Sequence, residues 1–184
     1  MNRLIILIFP LILFGCHNKK RDSSKAYFSV VEFLQGEASK MDTSHYTVTK
    51  IETLNGVSDT VIIPKKDFRK YAEDFLTLPD IGSDDKHDKY EESNTYDDDL
   101  KSVLLNYIPK DDKEEIRRQT IILQPNEVGN SEVKTILVNR IMAGKDSTVE
   151  KDLIWHVGHR FQAVTKTTRG NEPETIRTRV ISWQ

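Results

Sequence analysis

Two histidines three residues apart, His156 and His159 in the stretch HVGH, come nearest to a metal-ligand pair in this sequence. On a continuous strand, residues three apart point to opposite faces, so the imidazoles would converge only if the residues between them formed a tight turn. A zinc site needs three or four ligands, and no further ligands can be identified. We therefore expect these histidines to be turn-flanking polar residues beside Trp155 and Phe161, and we predict no metal.

A second group of side chains with chemical potential is the acidic stretch 80–99. It contains nine acids and two lysines: Asp80, Asp84, Asp85, Asp88, Glu91, Glu92, Asp97, Asp98 and Asp99, with Lys86 and Lys89. Several carboxylates can hold calcium, but the D-x-[DN]-x-[DN]-G spacing of a calcium loop is absent. We predict a solvated acidic loop. Weak cation binding, docking of a basic partner, and a two-carboxylate hydrolase that uses these acids remain alternatives.

The third group is basic and lies near the end of the chain. Five cations accompany two acids between residues 160 and 184: Arg160, Lys166, Arg169, Arg177 and Arg179, with Glu172 and Glu174. Strand alternation in TIRTRVISW places the last two arginines on one face with Ile181 and Trp183. Two arginines beside an indole could clamp an anionic ligand. We favour the alternative, the solvent face of an edge strand whose charges discourage aggregation.

Recognisable catalytic motifs are absent from the whole sequence. It contains no G-x-S-x-G, Walker A, H-E-x-x-H or G-x-G-x-x-G pattern, so we predict that the protein is not an enzyme and needs no cofactor. The formal net charge of -2 argues against a nucleic-acid partner, which usually requires a clear positive excess.

The N-terminal stretch MNRLIILIFPLILFG differs from the rest of the chain. Arg3 precedes an apolar run over residues 4–14 that is interrupted by Pro10 and is too short to span a bilayer as a helix. It is typical of the hydrophobic region of an export signal. We predict that residues 1–15 are a cleaved signal peptide.

The only cysteine, Cys16, follows this stretch directly in the sequence LFGC. Leu13-Phe14-Gly15-Cys16 resembles the lipobox of bacterial lipoproteins, with an aliphatic residue at -3 and a small residue at -1, although Phe14 departs from the usual pattern at -2. The resemblance implies diacylglyceryl transfer to Cys16, cleavage before it and acylation, as with palmitate, of the freed amine. Two or more acyl chains would hold a protein stably on a membrane. A coincidental cysteine after an ordinary signal peptide is the alternative.

Residues 16–25 are predicted to be the lipidated cysteine and a tether, since HNKKRDSSK contains no large apolar side chain. Residues 26–184 are then a single domain. Basic residues next to the lipid could contact anionic headgroups, or the segment could be a generic spacer. Some bacterial lipoproteins carry an acidic export signal just after the cysteine that sends them to the cell surface, so the basic HNKKR favours the periplasmic face of the outer membrane. Exposure at the cell surface stays open.

The pattern of the domain predicts an α+β fold with two helices packed on a mainly antiparallel, meander-type sheet. Apolar spacing predicts helices at about 24–41, capped by Ser23 or Ser24, and at about 65–77. Asn55-Gly56 between β-branched segments indicates a hairpin. Six β-rich runs follow, VLLNYIP, IRRQTIILQ, VKTILVNRIM, TVEKDLIWHV, RFQAVTKTT and TIRTRVISW. Residues 98–108 also fit helical spacing, but we predict a strand there.

The order of these elements resembles that of small, uncharacterised predicted lipoproteins of Bacteroidota-type bacteria, a family for which no activity is implied. We therefore expect a lipid-anchored, non-catalytic envelope protein that binds a partner or assists assembly. The alternative is a carrier whose apolar cavity would be lined by aromatic residues. These would be Phe28, Phe33, Phe68, Phe75 or Trp155.

Overall fold

The computed structural model describes residues 27–184, so the predicted signal peptide and the whole predicted tether, with Cys16, lie outside the described residues. Within that range the chain forms three α-helices and one nine-stranded sheet, which confirms the predicted α+β class. Every pairing between neighbouring strands is antiparallel. No helix in this part of the chain is long and apolar enough to cross a membrane.

The first helix, α1, covers Val30–Thr43 and begins later than the predicted 24–41. Its N-cap is Ser29, not Ser23 or Ser24, because the Ser29 hydroxyl accepts a hydrogen bond from the Glu32 backbone N–H at 3.2 Å. The same hydroxyl donates to Asp80 at 2.9 Å. This contact fixes the start of the helix against the loop that follows the second helical segment.

The second helical segment is broken, whereas the sequence predicted one helix over 65–77. A 3₁₀ helix at Lys65–Asp67 leads into α2, Phe68–Tyr71, and then α3, Glu73–Leu76. At the break, the Phe75 N–H donates to the Ala72 carbonyl three residues back, which tightens the turn. Phe68 and Phe75 still face the sheet together, because they are two helical turns apart.

The strands begin with the predicted hairpin and continue as a meander. They are β1 Val48–Leu54, β2 Val57–Ile63, β3 Tyr90–Asp97, β4 Ser102–Pro109, β5 Ile116–Pro125, β6 Ser131–Ala143, β7 Ser147–His156, β8 Arg160–Arg169 and β9 Thr175–Trp183. Asn55 and Gly56 form the two-residue turn between β1 and β2 with positive φ angles of 47° and 90°. The strand predicted at 98–108 is confirmed as β4.

The spatial order of the strands is β2-β1-β9-β8-β7-β6-β5-β4-β3. The N-terminal hairpin therefore closes onto the last strand, with Val48 opposite Trp183, and β9 is an interior strand. This corrects the expectation that TIRTRVISW forms an edge. The edges are β2 and β3, and β3 occupies part of the stretch 80–99 that was predicted to be loop throughout.

The hydrophobic core lies between the helices and one face of the sheet. Trp155 and Phe161 stack with ring centroids 4.9 Å apart, and Phe68 and Phe75 pack edge-on or tilted against them. All four side chains are fully buried. Trp183 joins this aromatic cluster, with its ring 5.2 Å from that of Phe68.

Candidate functional site

The feature best suited to bind a ligand is a cleft of about 540 Å³ between α2–α3 and the sheet. It begins where the aromatic cluster ends. The side chains around it are Lys70, Tyr71, Glu73, Asp74, Lys151, Ala163, Thr165, Thr167, Arg169, Glu172, Pro173, Thr175, Arg177 and Arg179. Its volume falls within the usual range of small-molecule sites.

Strand register explains why the cleft is polar. One cross-strand row of the helix-facing side contains Trp155, Phe161 and Ile181, all of them buried. Four residues away along the strands, the row on the same face contains Lys151, Thr165 and Arg177. The sheet face thus changes from apolar to polar along the same three strands, and the polar part forms the floor of the cleft.

Glu52 holds the basic side chains at one end of this floor. Its carboxylate accepts hydrogen bonds from Lys50 at 2.9 Å and from Arg179 at 3.1 Å, and the Nε of Arg177 lies 3.6 Å away. The hydrogen bond from Lys50, followed by that from Arg179, holds the pKa of Glu52 below its ordinary value. This carboxylate therefore stays ionised and holds Arg179 in place.

Tyr71 joins the helical wall to these cations. The Nζ of Lys50 and the Cζ of Arg179 each lie 5.5 Å from the centre of its ring. On the same wall, Asp74 of α3 forms an ion pair with Lys151 of β7. These contacts connect the helical wall to the floor formed by the sheet. They therefore set the distance between the wall and the floor of the cleft.

The predicted face of the last strand is confirmed in its geometry but not as a ligand clamp. Arg177, Arg179, Ile181 and Trp183 do share one face. Ile181 is fully buried and Trp183 is 6% exposed, so the indole belongs to the core and cannot stack on a ligand beside the arginines. Only the two arginines reach the cleft.

The histidine pair lies at the β7–β8 turn, away from the cleft. The His159 N–H donates to the His156 carbonyl at 3.2 Å, and the His156 ring is 3.2 Å from the Thr135 hydroxyl. Burial, followed by the nearby charge of Arg160, lowers the pKa of His156. In the described part of the chain, no group of three or more His, Cys, Asp or Glu side chains is placed to hold a metal ion.

The acidic stretch is also outside the cleft. Within it, Lys86 and Lys89 both reach Glu114, at 3.0 and 2.9 Å, and fasten the loop to the turn before β5. The hydrogen bond from Lys89, followed by that from Lys86, lowers the pKa of Glu114. These cations therefore have a structural role, and the acids of β3 face solvent at the edge of the sheet.

Sequence reasoning missed most of the cleft, including Lys70, Lys151 and the threonines. The sequence does contain a signal for the cleft. Along one face of β7, the side chains change from the apolar Trp155 and Leu153 to the charged Lys151. Comparisons with protein-family models, with curated proteins and with solved structures found no match to this chain. The function must therefore be inferred from the geometry.

Proposed function

We propose that this protein is a lipid-anchored, non-catalytic binding module on the periplasmic face of the outer membrane. The observation that supports binding is the open cleft between α2–α3 and strands β7–β9. It is lined by charged and hydroxyl side chains whose positions are fixed by strand register and by the contacts of Tyr71 and Asp74. A site fixed in this way can select a ligand without a large rearrangement.

The side chains of the cleft favour binding over catalysis. A hydroxyl nucleophile needs a base within hydrogen-bond reach. Thr165 and Thr167 form no side-chain hydrogen bond within residues 27–184, and the nearby Asp74 is engaged by Lys151. The acids named for a two-carboxylate hydrolase do not line the cleft. These arrangements support a module that holds a ligand without altering it.

The carrier alternative receives less support from the packing. It required an apolar cavity lined by aromatic side chains. Phe68 and Phe75 instead pack against Trp155 in the core, with their ring centroids 6.2 and 5.3 Å from that of Trp155. Phe28 and Phe33 contact each other beside α1, where the adjoining surface is open.

Membrane fractionation tests the anchor. We expect the wild-type protein and a tether control, Ser23→Ala, to sediment with the outer membrane. Cys16→Ser should instead be lost from the outer-membrane fraction, because it has no thiol to acylate. Unchanged membrane retention of Cys16→Ser would refute the lipid anchor.

Crosslinking in intact envelopes tests the cleft. A photo-crosslinking amino acid is placed at Thr175, which is exposed at the cleft, or at Thr60, which is exposed on the opposite sheet face at the β2 edge. We expect a discrete adduct only from position 175. Equal labelling from both positions, or none from either, would count against a binding role for the cleft.

A further inference from the structure

Basic side chains approach the cleft from several elements, although the whole chain has a net charge of -2. We propose that the cleft binds a small ligand with two or more anionic groups, phosphate or carboxylate, on a hydroxyl-bearing scaffold such as a sugar. This inference rests on the proposed binding function and specifies its ligand class.

Three cations are available to such a ligand. Lys70 of α2 and Arg169 at the end of β8 are both exposed, and neither forms an ion pair within residues 27–184. Arg177 is 51% exposed, and its closest approach to Glu52, from Nε, is 3.6 Å. Its terminal guanidinium nitrogens can therefore still bind an anion. Lys70 lies on the helical wall, Arg169 at the end of β8 and Arg177 on the floor. Because the three cations are apart, they favour a ligand with separated negative charges.

The acids of the cleft only partly offset these cations. Asp74 is paired with Lys151, and Glu52 is held by Lys50 and Arg179. Both groups are largely buried; the first is neutral, whereas the second, with two cations on one carboxylate, keeps one positive charge. The exposed Glu73 and Glu172 remain unpaired within the described residues and limit how many negative charges the ligand can carry. A compact ligand with a small number of anionic groups fits this balance better than a long polyanion.

The floor between the cations offers hydroxyl groups. Thr165 and Thr167 of β8 are half-buried, and Thr175 begins β9 opposite Thr167. None of the three side chains has a hydrogen-bond partner elsewhere in residues 27–184. A hydroxyl both donates and accepts, so this row can bind ligand hydroxyls as well as anionic oxygens. This second property favours a hydroxylated anion over a simple inorganic one.

Titration calorimetry on the full-length protein, purified in detergent, tests the ligand class. The probes are glucose 1,6-bisphosphate, trigalacturonate, inorganic phosphate and the neutral maltotriose. We expect measurable binding of one or both of the first two, at least tenfold weaker binding of phosphate, and none of maltotriose. Affinity should fall as salt is raised, because the exposed cations are screened.

Matched pairs of variants locate the binding. Arg169→Gln is compared with Arg160→Gln, which removes the same charge from the other face of β8. Lys70→Gln is compared with Lys66→Gln, at an exposed position in the 3₁₀ helix before α2 that does not line the cleft. We expect each cleft variant to lose about tenfold in affinity, because each removes one charge-assisted hydrogen bond to the ligand. Each control should lose less than about twofold.

The outcomes separate the ligand class from the binding function. Equal losses in the cleft variants and their controls would show diffuse attraction and overturn the anion site. Binding of maltotriose as tightly as the anions would overturn the charge requirement. If no anion binds while the crosslink from position 175 persists, the ligand class is wrong and the binding module stands. If both fail, both proposals are refuted.

Discussion

The aromatic cluster and the polar cleft lie on the same face of the same three strands, yet they have opposite characters. Around Trp155 and Phe161 the face is covered by Phe68 and Phe75 and is fully buried. Four residues further along, the same face is lined by the polar side chains of Lys151, Thr165 and Arg177 and borders the open cleft. The helical segment above the sheet is short, so it covers only one part of the strands. The uncovered remainder is where a site can form.

The largest expected effect comes from breaking the covered part. Phe68→Ala removes the ring that contacts Trp155, Phe161 and Trp183. We expect the free energy of unfolding to fall by about 3–5 kcal/mol, because the deletion leaves a cavity in a filled core. Chemical denaturation measures this. The exposed Tyr46→Ala should cost less than about 0.5 kcal/mol, and comparable losses would contradict the packing described.

A smaller effect is expected at the boundary between the aromatic cluster and the cleft. There, one substitution should lower stability and raise ligand affinity. Glu52→Gln removes the carboxylate that accepts from Arg179, so stability should fall by about 1 kcal/mol. The same change frees Arg177 and Arg179 for an anion, so the proposed ligand should bind more tightly. Denaturation and calorimetry on one variant measure both. The control is Asp59→Asn, because Asp59 is exposed and lies opposite Glu52 on β2. It should change both stability and ligand affinity less than Glu52→Gln does.

The smallest effect concerns pH. Because the pKa of His156 is lowered in the folded state, the unfolded chain binds more protons as pH falls. Stability should therefore decline as pH falls through about 6.5 and below, and His156→Gln should flatten this decline. The exposed His45→Gln serves as the control. No histidine lines the cleft, so affinity for a carboxylate ligand such as trigalacturonate should be nearly constant between about pH 6 and 8. A steep change in affinity over this pH range would contradict the assignment of the ligand to the residues that line the cleft.

Much of the fold could be predicted because it depends on local patterns. Asn55-Gly56 determines a hairpin by its backbone preferences, and alternation identified β4 to β9. The strand β3 was missed because only Tyr90 in it is buried, so an edge strand with exposed Glu91 and Glu92 shows no apolar alternation. The interior place of β9 was missed for another reason, since its pairing with β1 is not encoded in nearby residues.

The cleft could be predicted only in part. The alternation of Arg177 and Arg179 was visible, and so was the local excess of basic residues. Lys70 and Lys151 come from distant segments, and only the fold brings them together. That Trp183 is buried also depends on α2 lying above it, which periodicity within one strand cannot show.

The pairing of β1 with β9 also constrains the order in which the molecule can be completed. The hydrogen bond between Arg179 and Glu52 joins residues 127 positions apart. The N-terminal hairpin is made early, but its inner edge has no partner until the final strand is present. Contacts this distant slow folding and leave an unsatisfied strand edge in the meantime. Until β9 pairs with it, the inner edge of the hairpin stays open to pairing with other strands.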